Sequence, residues 1–325
     1  SYTEKILPLD ERLDGDDLTE MWKDASRWKT GDKWRSFGWN VIDVDGHRIE
    51  QISNAINKAN QTKGIPSIII ARTIKGKGVE HMEDNPQWHG KAPKPEFVPI
   101  IEQELESQFM IAPSIIAGDM SNLEKEVRRC EEGRADYIHL DVMDGQFVPN
   151  TTFDHTKIRE LRPLTVIPFD THLMINDPVK HVHDYIDAGS DIITVHAEVC
   201  DESSFGEISD KLQSNQIGIG LAINPDTELP DWSSKFIPLL DQIIIMSVVP
   251  GKSGQKYILS TNEKTQRIIK QLRENNFEGY IEADGGVNLD NIGACFEDGA
   301  RAFVGGNAII GQNDVRLIIK EFRNE

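Results

Sequence analysis

Ile138-His139-Leu140-Asp141-Val142-Met143 is a β-type apolar run that carries a polar or thioether side chain at every second position. Residues two apart on a strand point to the same side of a sheet, so His139, Asp141 and Met143 share one face. Further on, Asp170-Thr171-His172-Leu173-Met174 repeats the pattern and puts Asp170, His172 and Met174 together. A third apolar run ends in Glu282-Ala283-Asp284 and passes into Gly285-Gly286-Val287. A single histidine on an apolar strand is commonly a satisfied core residue. Three such strand ends, each leading into a loop, point instead to a site with enough imidazole and carboxylate to hold a metal ion. Asp170 would either orient His172 from behind or satisfy a hydrogen bond in the core.

Outward from these strings the grammar is regular. Candidate strands fall at Met110–Ser114, Tyr137–Met143, Val166–His172, Ile192–His196, Ile217–Ile223, Gln242–Ser247, Tyr280–Asp284 and Ala302–Gly305. Segments with helical spacing lie between them, among them Leu123–Glu131, Val179–Ala188, Glu263–Arg273 and Asn288–Asp298. Eight strands alternating with helices fit an α/β fold, a closed parallel (β/α)8 TIM barrel, with a doubly wound open sheet as the alternative. In a barrel the site lies at the C-terminal strand ends, where Asp141, His172 and Asp284 all fall.

Bulk properties narrow the function. A net charge of −19 over 325 residues repels nucleic-acid phosphates, so no nucleic-acid partner is expected. No run approaches the ~20 apolar residues of a membrane span, and no signal peptide opens the chain. The three cysteines are scattered and lack zinc-ligand spacing, which suits a reducing, cytoplasmic setting. The first residue is Ser, as expected of a processed or partial chain. Two domains are expected, 1–106 and 107–325: five of the six tryptophans precede residue 106, whereas the regular alternation of apolar runs follows it.

Three small-residue loops follow the last three barrel strands: Pro250-Gly251-Lys252-Ser253-Gly254-Gln255, Gly285-Gly286-Val287 and Gly305-Gly306-Asn307. Glycines let backbone N–H groups approach a phosphate, so a phosphate-bearing substrate is expected. Two carboxylates, a divalent metal and a phosphate grip suit proton transfer beside a carbonyl, with one aspartate removing the proton and the other returning it to the opposite face. A metal-assisted hydrolase would use the same ligands but leaves the second aspartate unexplained. Met143, Met174 and Met246 would line the slot or simply pack.

From Ile111 to Ile309 the chain closely resembles ribulose-phosphate 3-epimerase, in the strings IHLDVMDGQFVPN (138–150), DTHLM (170–174), DIITVHAE (191–198), MSVVPGKSGQ (246–255) and ADGGVNLDNI (283–292). The resemblance implies metal ligands at His139, Asp141, His172 and Asp284, with Asp141 and Asp284 as the acid–base pair. It places Ser114 and His172 on the sugar, and Gly251 to Gly254, Gly285, Gly286, Gly306 and Asn307 on the phosphate. Zinc, iron(II), manganese and cobalt all suit the donor set. The sixth loop departs from the usual NPGFGGQ, with Val249, Lys252 and Ser253 in place of Asn, Phe and Gly, and Asn307 stands where Ser is usual. Lys252 would add a charge contact. Related barrels act on other ketose phosphates such as allulose 6-phosphate, so pentose specificity is inferred. A homo-oligomer is expected.

Residues 33–47 (KWRSFGWNVIDVDGH) and 65–93, with TIKGKG and NPQWHG, resemble the end of the thiamine-diphosphate-binding domain of transketolase. His89 matches a histidine near the cofactor in that family, or is a loop histidine beside Trp88. The family anchors the cofactor through a metal held by Gly-Asp-Gly and a downstream Asn. Gly-Asp-Gly does not occur here, and Leu9 in LDERLDG (9–15) stands where the Asn would be. Thiamine diphosphate is therefore not expected to bind this chain alone. Strands such as Ile68–Ala71 would lack sheet neighbours. The segment is read first as part of a truncated transketolase–epimerase fusion, then as a module docking to a transketolase subunit, and last as an inert remnant.

Overall fold

The computed structural model describes residues 29–106 and 108–323, so the 9–15 stretch with Leu9 lies outside the described residues. The described residues divide into two compact units between Gln108 and Phe109.

The first unit holds helix α1 (Lys29–Ser36), strand β1 (Asn40–Asp45), helix α2 (Ile49–Gln61), strand β2 (Ser67–Arg72) and helix α3 (Val98–Glu106). β1 and β2 pair in parallel from Asn40↔Ser67 to Asp45↔Arg72, so the Ile68–Ala71 strand does find one neighbour. Ile42, Val44 and Ala55 form a small core under α2. Arg72 closes the pair by donating to Asp43 at 2.8 Å. Two strands and one helix bury little apolar surface, and Phe37, Ile49 and Ile65 stay at least half exposed.

The second unit is a barrel of β3 (Met110–Pro113), β4 (Ile138–Met143), β5 (Phe169–Met174), β6 (Ile192–His196), β7 (Gly218–Ile223), β8 (Gln242–Met246), β9 (Tyr280–Asp284) and β10 (Ala302–Gly305). All pairings are parallel in the order β3-β10-β9-β8-β7-β6-β5-β4, and a single bridge, Ser114↔His139, completes the circle between β3 and β4. Apart from the first residues of β3, β7 and β9, the strands are buried, because helices cover the outside and packed side chains fill the inside. The helices are α4 (Leu123–Glu132), α5 (His155–Leu161), α6 (Pro178–Ala188), α7 (Glu202–Ser214), α8 (Ser260–Glu274), α9 (Ile292–Glu297) and α10 (Val315–Phe322).

Their starts are written locally. Asn122, Asp154, Asp177 and Asp314 each accept a first-turn backbone N–H, and Asp201 forms a reciprocal capping box with Ser204. A second device recurs at the barrel floor. Asp136, Asp191 and Asp241 precede β4, β6 and β8, and their carboxylates accept from Ile111, Phe169 and Ile219 N–H respectively. Each carboxylate satisfies the first donor of the preceding strand or one beside it.

Several boundaries differ from the sequence reading, two of them for a clear local reason, and one connection departs from the strand–helix alternation. β5 begins at Phe169 instead of Val166, because Pro168 has no N–H for the ladder. Asn288 caps a tight turn, accepting from Asp290 N–H, so α9 starts only at Ile292. After β7 the connection is two short 3-10 turns, Asp231–Lys235 and Ile237–Leu239, in place of an α-helix. Pro230 and Pro238 leave no room for uninterrupted α-helix there. Among the described residues no helix is long and apolar enough to cross a membrane.

Candidate active site

Period-two alternation directs one set of side chains from β4, β5 and β9 into the barrel. The register sets His139 beside Asp170, Asp141 beside His172 and Met143 beside Met174. Near the C-terminal mouth this assembles His139, Asp141, His172 and Asp284, all buried, with ligand atoms within 4.8 Å of one another. His139 Nε2 lies 3.4 Å from Asp141 Oδ1 and 3.7 Å from Asp284 Oδ2. His172 Nδ1 lies 3.5 and 3.4 Å from the same two oxygens. These gaps are too long for good hydrogen bonds, and both nitrogens are buried without a partner. With ligand bonds of roughly 2.0–2.2 Å, the donor–donor edge of a tetrahedron is roughly 3.3–3.6 Å. The four groups are therefore spaced as ligands around a small cation, and the set can hold a metal ion.

The electrostatics agree. Burial opposes charge on His139, but Asp141 and Asp170 outweigh it and raise its pKa well above the ordinary value. Burial likewise works to raise Asp141, and His139 and His172 more than reverse it, holding the carboxyl well below the usual range. Three carboxylates around two imidazoles leave excess negative charge at the strand ends, which a cation offsets.

Behind this cluster the first reading of Asp170, as a residue orienting His172, needs correction, while a hydrogen bond in the core is present. Asp170 does not touch His172; its Oδ2 lies 2.7 Å from His139 Nδ1, and its Oδ1 accepts from Gln242 Nε2 at 2.7 Å. The cause is register, which pairs Asp170 with His139 across two strands. His172 leans instead on His196, with Nε2 to Nε2 at 2.8 Å, and His196 Nδ1 meets Glu198 Oε2 at 3.0 Å. Burial lowers His196 to about 4, so it stays neutral. Burial, and after it the Asp170 carboxylate, raise Glu282 well above the ordinary range.

A pocket of about 240 Å³ opens over the strand ends. Asp141 and Asp284 line it; His139 and His172 are fully buried behind them. Ser114 stands on the rim and donates to Asp141 Oδ2 at 2.5 Å, leaving Oδ1 for the cluster. Met143, Met174 and Met246, all buried, form part of the wall. The opposite wall is built from the three glycine loops: Gly251, Lys252, Ser253 and Gly254 from the first, Gly285 and Gly286 from the second, Gly306 and Asn307 from the third. Gln255 Nε2 braces the first loop by donating to Val249 and Lys252 carbonyls, and Lys252 itself is exposed at the mouth. Ser247 ties β8 to β9 by donating its hydroxyl to the Asp284 and Gly285 carbonyls.

His89 belongs to the first unit. Its side chain is exposed in the first unit, just after the Pro86–Trp88 turn, where Trp88 packs edge-on against His81 and Phe97. Sequence reasoning missed His196, Glu198, Gln242, Ser247 and Glu282. Two of them carried a usable signal: His196 ends a strand, and Glu282 sits two residues before Asp284.

The ribulose-phosphate 3 epimerase family model matches residues 110–310, most of the chain. The chain belongs to this family. It is 37% identical over 214 residues to the Bacillus subtilis ribulose-phosphate 3-epimerase, covering 66% of this chain and 97% of the relative. The Escherichia coli K12 epimerase is 36% identical over 219 residues, covering 67% and 96%. The Arabidopsis thaliana chloroplastic ribulose-5-phosphate-3-epimerase is 36% identical over 220 residues, covering 68% and 78%. Membership in this epimerase family makes the protein an isomerase. Among solved structures, KGPDC from Streptococcus mutans aligns with a TM-score of 0.50 at 14% identity, covering 67% of this chain and 96% of that one, a likeness of fold. A second family model, the thiamine diphosphate binding domain of transketolase, matches residues 12–132 and so runs past the break at Gln108 into the start of the epimerase barrel.

Proposed function

We propose that the barrel interconverts D-ribulose 5-phosphate and D-xylulose 5-phosphate by proton transfer at C3, with Asp141 and Asp284 as the acid–base pair. The observation that carries this reading is that, of the four-donor cluster, the two carboxylates face the pocket while the two imidazoles lie behind them. His139 Nε2, His172 Nδ1, Asp141 and Asp284 would hold a divalent ion, which supplies polarisation of the substrate carbonyl and stabilisation of the enediolate charge. Asp141 and Asp284 project from β4 and β9, on different sides of the barrel mouth. One removes the C3 proton and the other returns a proton to the opposite face, which inverts the centre. The hydroxyl of Ser114 fixes Asp141 in rotamer and stabilises its charged form. The three thioethers keep the slot dry, and the glycine loops hold the phosphate through backbone N–H groups, with Lys252 adding a positive charge at the mouth.

The test is conversion of D-ribulose 5-phosphate by the purified chain in D2O, beside allulose 6-phosphate at equal concentration. The reading expects D-xylulose 5-phosphate carrying deuterium at C3 and slower turnover of the hexulose. Faster turnover of allulose 6-phosphate would move the substrate assignment; unlabelled product would contradict proton exchange through the aspartates.

Ser114→Ala is expected to keep metal content and fold while lowering kcat roughly 10–100-fold, the equivalent of about 1.5–3 kcal/mol for a hydrogen bond to a charged group. Steady-state kinetics beside metal analysis decide it, and unchanged kcat would remove Ser114 from the mechanism.

For residues 1–106 we propose an incomplete transketolase-like domain that does not bind thiamine diphosphate alone and takes no part in epimerisation. The support is that nearly the whole length of the relatives is matched over 214–219 residues, about the size of the second unit, that the epimerase family model matches 110–310, and that the first unit buries so little apolar surface. A chain starting at Phe109 is expected to keep kcat/KM within about twofold of the full chain. Size-exclusion of both forms, alone and mixed with a transketolase subunit, then separates docking from a passive segment: docking requires that only the full chain co-elute.

A further inference from the structure

We propose that His196 and Glu198 select the nitrogen through which His172 binds a cation, acting as positioning residues for the metal site. The inference rests on the reading of the four-donor cluster as a metal centre. The two ligand histidines present opposite nitrogens to that cluster: His139 turns Nε2 toward Asp141 and Asp284, whereas His172 turns Nδ1. A neutral imidazole binds a cation only through the nitrogen that lacks the proton, and the partner of the other nitrogen decides which that is. For His139 the partner is the carboxylate of Asp170, which accepts from Nδ1–H.

For His172 the decision is made one ring further away. Glu198 Oε2 can only accept from His196 Nδ1, so that nitrogen carries the proton. His196 Nε2 then bears a lone pair, and the 2.8 Å contact to His172 Nε2 requires the proton to sit on His172. The lone pair of His172 is thereby left on Nδ1, facing the two aspartates. The ring geometry supports a directed bond, since the two Nε2 atoms lie 2.8 Å apart while the ring centroids are 4.9 Å apart, so the rings meet through these nitrogens.

The relay is held at its far end. Glu198 Oε1 accepts from Asn224 N–H at 2.7 Å, and the carbonyls of Asn224 and Pro225 accept from the buried Lys264 ammonium. The Phe147 ring lies 4.6 Å from His196 and restricts its rotation. There is a physical reason for two rings. A carboxylate placed directly on His172 would add another negative charge beside Asp141 and Asp284; beyond His196 it sets the tautomer from a distance.

The experiment uses the full chain with 15N-labelled histidine, loaded with zinc. Long-range proton–nitrogen spectra should show protons on His172 Nε2 and His196 Nδ1 and none on His196 Nε2. In competition with a fluorescent chelator, Glu198→Ala and His196→Phe should each weaken zinc affinity about 10–100-fold, and Glu198→Gln, whose single amide oxygen must serve either His196 Nδ1–H or the Asn224 N–H, should fall between the wild type and Glu198→Ala. Circular dichroism identifies any variant that has simply unfolded, and Glu198→Ala carries the test if His196→Phe does. A proton on His196 Nε2 in the wild type, or wild-type affinity in every variant, would overturn the inference alone. A wild type that takes up no zinc would overturn the metal reading and this inference with it.

Discussion

Replacing Asp284 with Asn should abolish epimerisation and leave the barrel folded. The amide is isosteric, and the β9 end is anchored through the Asp284 carbonyl by Ser247, which the substitution does not touch. Two functions disappear together. A positioned acid–base group contributes about 10²–10⁴-fold. Asn also replaces an anionic oxygen, 3.4 Å from His172 Nδ1 and 3.7 Å from His139 Nε2, by a neutral one or by an N–H pair that repels a cation. A fall in kcat of at least about 10³-fold is therefore expected, with an unchanged circular dichroism spectrum. Metal analysis of the same sample separates the two losses. Substantial turnover with metal retained would contradict the two-aspartate mechanism.

The second large effect is expected at Gly286. Its φ of +70° lies in the left-handed region, and a Cβ there would stand 2.5 Å from Tyr257 N and 2.9 Å from Gln255 O, both backbone atoms of the neighbouring loop. Gly286→Val must therefore push two of the three glycine loops apart. Left-handed backbone costs a branched residue about 1–2 kcal/mol, and overpacking adds about 1–3 kcal/mol. A domain of this size loses roughly 2–4 °C of Tm per kcal/mol, so a fall on the order of 5–20 °C is expected. If these loops hold the phosphate, KM for the sugar phosphate should rise more than about tenfold. Gly293→Ala in α9, where a Cβ meets nothing within 4 Å, is the control and should leave both values near wild type. A Gly286→Val chain with wild-type KM would remove the loop pair from substrate binding.

How much of this was written in the sequence depends on whether a feature is local. Strand alternation is local, so the inward faces of β4, β5 and β9 could be read directly, and β6, β9 and β10 begin and end where the apolar runs do. Helix caps are local as well, as at Asp177-Pro178 and Asp201, yet only some starts were read from them: α9 begins four residues beyond Asn288, which caps a turn instead. Features that depend on register were not legible. Asp170 shares a face with His172 along its own strand, yet it bonds His139 because parallel pairing puts those two side by side. His196 and Glu282 obey the alternation that exposed His139 and Asp284, and applying the rule to every strand would have found both. Glu198 offers no such signal, because it lies in the turn after β6 and reaches His196 only once the chain has folded. The connection after β7 shows the same limit. Its length suits a helix, and only the two prolines reveal that short turns take its place.

Metal dependence decides whether the four-donor cluster takes part in epimerisation. Its most direct test is to strip the purified chain with a chelator, assay conversion of D-ribulose 5-phosphate to D-xylulose 5-phosphate, and then restore zinc, iron(II), manganese or cobalt one at a time. Turnover should be lost on stripping and return with a stoichiometric amount of at least one of these ions. Full turnover in a chain shown to be free of metal would contradict it.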